Sequence, residues 1–241
     1  MDLSFIYQTF LQLLPGIPLT IGFAALSVVL GGLLGFGIAL LRMSPWAPAR
    51  GFAWFYVLLF RSVPLLVLLF MIYYGLSQLE AVRESFLWPI LRQPHWCALI
   101  ALTINDSPYS SEIIRGGLRS VRRGELEAAY ACGMSGPLLM RRIVIPIAIR
   151  QALPAYGNEI IAMVKATSLA SLVTLMDVTG IASQIANDTY RPVEVYVSAG
   201  VIYLIISYLL TRGVQWTERR LNPHLRPLAI KPDSFVEGKT I

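Results

Sequence analysis

Charge is what this sequence has least of. Only 14% of its 241 residues are Asp, Glu, Lys or Arg, against about 25% in a water-soluble domain. A mean hydropathy of +0.62 accompanies a hydrophobic share of 56%. Too little polar surface remains to cover a globule in water, so the composition points to an integral membrane protein built from helices. Histidine is nearly missing. His95 and His224 are the only pair, and the topology below puts them on opposite sides of a membrane, which excludes a shared metal or a catalytic triad. No G-x-x-x-x-G-K-[ST] stretch occurs, so ATP cannot be bound in the P-loop manner. Cys97 and Cys132 form no disulfide framework and are expected on different sides. No basic residue precedes Arg42, so the charged n-region of a cleaved signal peptide is missing. An enzyme is disfavoured, and no metal or cofactor is expected on this chain.

Long apolar runs are what is present. Residues 1–14 form a short amphipathic lead with one charge, Asp2. Five runs then follow at 19–41, 52–77, 96–114, 152–176 and 195–210, with ~20 apolar residues being enough to span a bilayer. Gly22, Gly31, Gly32, Gly35 and Gly37 in the first run offer small surfaces for close helix packing, or are merely tolerated in lipid. Arg61 and Pro64 interrupt the second run. The proline predicts a kink, and the arginine either has a partner or snorkels to the interface.

The basic residues orient the chain. Arg42 and Arg50, seven arginines between 115 and 150, and six Lys or Arg residues from Arg212 onward make fifteen of the twenty. With the N-terminus outside, all fifteen fall on the inner side, and only Arg83, Arg92 and Arg191 fall outside. The positive-inside rule therefore predicts N-out and C-in. The arginines cluster at the ends of apolar runs with no interleaved aromatics, so nucleic acid is not a partner. No repeat, low-complexity tract or soluble domain is visible. The expectation is one all-α transmembrane domain over 1–241 with five spans, a multi-pass inner-membrane protein in contact with lipid.

Ionisable groups inside spans mark a substrate or ion path by default. The third run is polar in its second half, with Asn105, Asp106, Ser107, Tyr109 and Glu112, and the fourth carries Glu159 and Lys165. A start near Ala152 puts Glu159 ~10 Å and Lys165 ~20 Å into the fourth span. The alternative is that Glu159 and Lys165 neutralise each other or neighbouring helices, although a separation of six places them on different faces.

The loop at 115–150 carries a second pattern. Gly124 precedes a short helical stretch predicted from Glu125 to Cys132; Gly133 stops it, and Gly136-Pro137 forces a turn. Small residues at Ala128 and Ala129 let another protein approach the backbone, whereas a helix lying on headgroups would leave the Glu-Ala-Ala face unexplained. Glu127-Ala128-Ala129, then Gly133 after three residues, then Ile143-Val144-Ile145-Pro146 after nine more, resembles the EAA motif of ABC importer permeases. Ile145 stands where that family usually has leucine. Further likeness lies in Arg61 with Pro64-Leu65-Leu66-Val67, in Ile72-Tyr73-Tyr74-Gly75, in Leu153 to Glu159 and in Thr167 to Ala170. It is closest to the polar amino-acid branch for histidine, lysine, arginine, ornithine and the opines octopine and nopaline.

The resemblance implies a type I importer permease core. It further implies a second homologous permease subunit, commonly different in this branch, an ATPase dimer that binds ATP and Mg, and a periplasmic substrate-binding protein. Glu125, Glu127, Ala128, Ala129 and Gly133 would form the coupling helix. Asp106 and Glu159, with Asn105 and Tyr109, would hold a cationic small-molecule substrate, and Lys165, Thr167 and Ser168 would meet its carboxylate. Departures fall where the path is lined: Asn105-Asp106-Ser107-Pro108-Tyr109 replaces a usual Asn-Thr-Ala-Ala-Tyr, Ser62-Val63 a usual Gly-Thr, and Leu68 a usual glutamine. Three alternatives stay open: a permease for another polar amino acid, a scaffold half of a permease pair that binds no substrate, and a secondary transporter or channel, which five spans without an inverted repeat fit poorly.

Overall fold

A computed structural model describes residues 2–221, and these are helical with no strand. His224, Arg226, Lys231 and Lys239, used above for topology, lie outside the described residues. The chain opens with α1 (Leu3–Leu13), capped by Asp2, whose carboxylate accepts from the Ser4 hydroxyl at 2.7 Å and the Ser4 amide at 3.0 Å. The Ser4 hydroxyl, followed by the Phe5 amide, holds that carboxyl below its ordinary range. One 3-10 turn at Leu14–Gly16 carries Pro15 and leads straight into α2 (Ile17–Met43). The amphipathic lead is thus no loose prelude. It joins α2 in a run of 41 residues, Leu3–Met43, and buries Thr9 and Leu13.

The second expected span is two helices. α3 (Ala47–Ser62) and α4 (Leu65–Phe70) meet at Val63-Pro64, and the segment Leu65–Gln78 turns 100° from α3. Proline lacks the amide for the helical ladder and pushes the residue before it out of the helical region; Val63 sits at φ −86°, ψ 123°. A π-turn (Met71–Gly75), a 3-10 turn (Leu76–Gln78) and two one-turn helices, α5 (Glu80–Arg83) and α6 (Trp88–Leu91), lead to α7 (Pro94–Arg119). At 26 residues α7 is ~39 Å long, enough to cross a bilayer, with Pro108 and the polar run in its middle. The basic loop holds α8 (Arg123–Ala131) and α9 (Gly136–Leu139), and a π-turn (Met140–Val144) joins it to α10 (Ile145–Ala166) without a break. The fourth span therefore begins well before the expected Ala152. A 3-10 stretch (Thr167–Val173) and a bend of 48° precede α11 (Val178–Thr189), and α12 (Pro192–Leu221) closes the described chain.

Among the described residues, Leu3–Met43 and Pro192–Leu221 are long and apolar enough to cross a membrane, and up to four segments qualify if each bent pair is one span. The largest core joins α1, α2, α7, α10, α11 and α12 around Leu13, Leu102, Met163, Val178 and Ile202. A second core packs α4 and the 3-10 stretch after α10 against α7 through Leu68, Leu69, Cys97 and Val173. Cys97 is buried and Cys132 exposed, and both are free.

The glycines of α2 divide by face. A methyl on Gly35 would lie 2.7 Å from the Ser107 carbonyl oxygen and 2.8 Å from Ser110 Cβ on α7, whereas Gly22 and Gly37 have nothing within 4 Å. Close packing thus holds for the face that carries Gly31 and Gly35. Gly35→Leu should destabilise the detergent-solubilised protein by at least about 1–3 kcal/mol through overpacking, read as a Tm several degrees lower. Gly37→Leu should leave Tm within about a degree, and equal effects of the two would contradict the packing described.

Candidate functional site

Three helix midpoints converge. Gly31 lies ~21 Å along α2, Asp106 ~18 Å along α7 and Glu159 ~21 Å along α10. Glu159 is deeper than the expected ~10 Å because α10 begins at Ile145. Asp106 is 0% exposed, and its Oδ2 accepts from the Ser110 hydroxyl at 2.8 Å. It fits only because α2 offers no side chain there: a methyl on Gly31 would overlap its carboxyl. Tyr156 covers neighbouring Gly32 in the same way, donates to the Val28 carbonyl at 3.3 Å and reaches Ser110 as well.

The half-buried Glu159 faces Asp106 at hydrogen-bonding range. Among the described residues Asp106 Oδ1 nevertheless has no donor, and the buried hydroxyls of Ser27 and Thr103 have no partner. Two facing carboxylates are both acceptors and repel each other in a medium of low dielectric. A cation or a shared proton removes that repulsion. Arg61 is close enough to act on both Glu159 and Glu112, and its guanidinium sits 4.8 Å over the Tyr109 ring. It therefore has a partner rather than simply reaching for the interface.

The structure brings Asp106 and Glu159 together, sets Tyr109 beneath Arg61 and leaves Asn105 half-buried nearby on α7. Lys165, Thr167 and Ser168 stand apart. Lys165 is exposed, ~9 Å further along α10 than Glu159, and makes no ion pair among the described residues. The neutralising pair of Glu159 with Lys165 is therefore not formed. Thr167 and Ser168 donate to the carbonyls of Val164 and Lys165, each at 2.7 Å, so their hydroxyls are left as acceptors only.

Some contributors went unnoticed in the sequence. Ser110 and Tyr156 complete the cluster; the spacing of four from Asp106 to Ser110 was a usable signal, while Tyr156 meets it only through the fold. A second buried set is wholly tertiary. Asp177 caps α11 at Gly180 N (2.8 Å) and accepts from Tyr203 at 3.0 Å, and Thr20 accepts the Val178 amide at 3.3 Å. The stretch 177–194 is thus not just an outer connection.

At the other end, α8 opens on half of a capping box: Glu125 accepts the Arg122 amide at 3.0 Å. Gly133 (φ +76°) and Gly136 (φ +50°) make the left-handed turns that stop it and start α9. Glu125, Glu127, Ala128 and Gly133 are exposed, but Ala129 is buried with Leu139 and Val144, against Leu118 and Val121 beyond it.

A polar cluster at the midpoints of packed apolar helices, with an exposed capped helix on a basic loop, defines a helical membrane transport component. The model of the family described as "Binding-protein-dependent transport system inner membrane component" matches residues 27–223, and the chain belongs to that family. It is 52% identical over 231 residues to the octopine transport system permease protein of Rhizobium radiobacter, covering 92% of this chain and 93% of that one. Its identity to the histidine/lysine/arginine/ornithine transport system permease protein of Escherichia coli K12 is 40% over 213 residues, 88% and 90% of the two chains. Among solved structures, an amino acid ABC transporter crystallised with histidines superposes with a TM-score of 0.80 at 34% identity, covering 91% of this chain and 99% of that one. The chain is thus an inner-membrane permease subunit of an ABC transport system and not an enzyme; ATP hydrolysis belongs to a partner ATPase.

Asp106→Leu should cost about 1–3 kcal/mol, because the buried Ser110 hydroxyl loses its acceptor. Asp106→Asn keeps an acceptor and gives Glu159 a donor, so its Tm should stay within about two degrees of the unmodified protein. Thermal unfolding of the two variants checks this; equal losses would show that Ser110 does not depend on Asp106.

Proposed function

We propose that this chain carries a basic amino acid or an opine derivative of one inward across the membrane, with Glu159 as the group that meets its cationic side chain. The supporting observation is the half-buried Glu159 carboxyl facing a fully buried Asp106 at mid-helix depth. Guanidinium and ammonium groups pair well with carboxylates, and a second acid behind the first makes the site still more favourable to a cation. The relatives named for octopine and for histidine, lysine, arginine and ornithine agree with that chemistry. Asp106 lies behind Glu159 and adds a second acidic group that draws a cation to the site. Asn105 and Tyr109 flank the cluster, and Lys165 meets the substrate carboxylate; Thr167, fully buried, and Ser168 spend their hydroxyl protons on backbone carbonyls and shape the end of α10 rather than bonding that carboxylate.

In this reading α7 is the fifth span, too polar to qualify by hydropathy because it carries the site. The N-terminus is outside. Supporting this, Arg191, expected outside, stacks 4.2 Å over Phe5 and lies 3.8 Å from Asp2, so the start of α12 and the N-terminus share one side. A periplasmic binding protein delivers substrate there. Glu125, Glu127, Ala128 and Gly133 dock an ATPase as a coupling helix, while Ala129 anchors that helix to the loop's own core. From there α9, the π-turn and α10 run on to Glu159, so displacement of α8 is carried toward the site as a rigid-body movement. A second homologous permease completes the pair. This chain needs no cofactor of its own; ATP and Mg stay on the ATPase.

The complete burial of Asp106 also suits a scaffold half that binds no substrate. Glu159→Gln separates the two readings: it should abolish uptake of radiolabelled arginine or octopine while assembly and ATP hydrolysis persist. Unchanged uptake would remove Glu159 from the site and favour the scaffold.

The coupling role has its own test. Gly133→Asp forces a side chain into a left-handed position, costing about 1–2 kcal/mol locally, and adds an anion to the docking face. It should cut substrate-stimulated ATPase activity at least tenfold or release the ATPase on purification. Gly133→Asn, which tolerates that conformation, should keep more activity. Normal coupling in both variants would refute the role.

A further inference from the structure

The ends of α2, α3 and α7 enclose a basic cleft that the transport reading does not use. Arg42 comes from the last turn of α2, Arg50 from the first turns of α3, and Arg115 and Arg119 from the last turns of α7. With Trp54 they line a groove of about 420 Å³. Among the described residues its one carboxylate neighbour, Glu112, is shared: Arg42 reaches it at 3.4 Å and Arg115 bonds its other oxygen. Arg50 donates only to the Ser44 and Pro45 carbonyls, at 3.2 and 2.9 Å, and Arg119 makes no ion pair among the described residues. Four positive groups thus stand against one negative group in a small open space.

The cleft adjoins a second groove of about 340 Å³ that shares Arg42 and Trp54 and runs along α3 past Val57 and Leu58 to Arg61, Ser62 and Glu112. Trp54 is 54% exposed and Leu58 48% exposed, and tryptophan favours the depth of lipid headgroups. A cationic site bordered by exposed apolar side chains of α3, Trp54 and Leu58, matches a phospholipid, head and chain together, better than a free anion. We propose that this cleft binds the headgroup of an anionic phospholipid, with an acyl chain lying along α3 beside Trp54 and Leu58. Basic pockets between membrane helices on the cytoplasmic side suit such headgroups. That the cleft faces the cytoplasmic leaflet rests on the orientation proposed above; its choice of headgroup does not.

Native mass spectrometry of the purified transporter, with phosphatidylglycerol or phosphatidylcholine added, tests the proposal. Phosphatidylglycerol should be retained and phosphatidylcholine should not, and Arg50→Gln combined with Arg119→Gln should weaken retention roughly thirtyfold. Dibrominated phosphatidylglycerol should quench a fluorescence component that is missing in Trp54→Phe, which gives a reading even if the double variant fails to assemble. Equal retention of the two lipids, undiminished retention in the assembled double variant, absence of Trp54 quenching, or displacement of the lipid by millimolar inorganic phosphate would each overturn it. Cross-linking from Trp54→Cys to a second permease chain instead of to lipid would also overturn it. Labelling of Arg119→Cys from each side of the membrane reads the orientation separately, so failure there would leave the headgroup result standing.

Discussion

The approach of α2 to α7 decides where polar groups can sit in this bundle. Lipid offers no partner for a buried carboxyl, so Asp106 needs helices close enough to enclose it and a neighbour to bond it. Gly31 supplies the space, Ser110 supplies the bond, and Gly35 lets the two backbones come together one turn further on. Side chains at either glycine would push α2 outward and open the middle of α7. With that contact in place, Glu159 on α10 can stand against Asp106 and Tyr156 can close over Gly32. The cluster is therefore a product of helix packing before it is a product of charge.

The same bundle keeps its two polar regions in mechanical contact. Ala129, Leu139 and Val144 knot the basic loop together, with Leu118 and Val121 at the end of α7 packed on the knot. From that knot α7 leads to Asp106, and the π-turn and α10 lead to Glu159. Both acids thus sit on helices rooted in one small apolar core. The sharp bends lie elsewhere, at Val63-Pro64 and between Val173 and Val178.

Much of this was legible in advance. The apolar runs, the proline break, the helix before Gly133 and the acids at 106 and 159 all depend on local composition or on spacing along one helix. What was not legible depends on contacts between distant segments. Tyr156 enters the site through Val28, 128 positions away in sequence, and the set of Thr20, Asp177 and Tyr203 joins α2, α11 and α12. In the sequence the amphipathic lead is only a short stretch with one charge, Asp2. Its packing on α12, where Ser198 donates to the Ile6 carbonyl at 3.2 Å, has no signature in α1 itself.

The chain's own order of residues was enough to determine that it lives in a membrane, that its cation-rich loop carries a helix with the Glu-Ala-Ala frame, and that its spans hold acids. Hydropathy, cap chemistry and charge are summed over neighbours, so they can be read without a fold. Only the tertiary structure decided which of those groups meet. Asp106 and Glu159 came together while Lys165 stayed apart, and Ala129 turned inward while Glu127 stayed out. Pairing of this kind depends on how far each helix is rotated and how closely it approaches its neighbour. That is set by small residues such as Gly31 and Gly35, whose importance appears only when something occupies the space they leave.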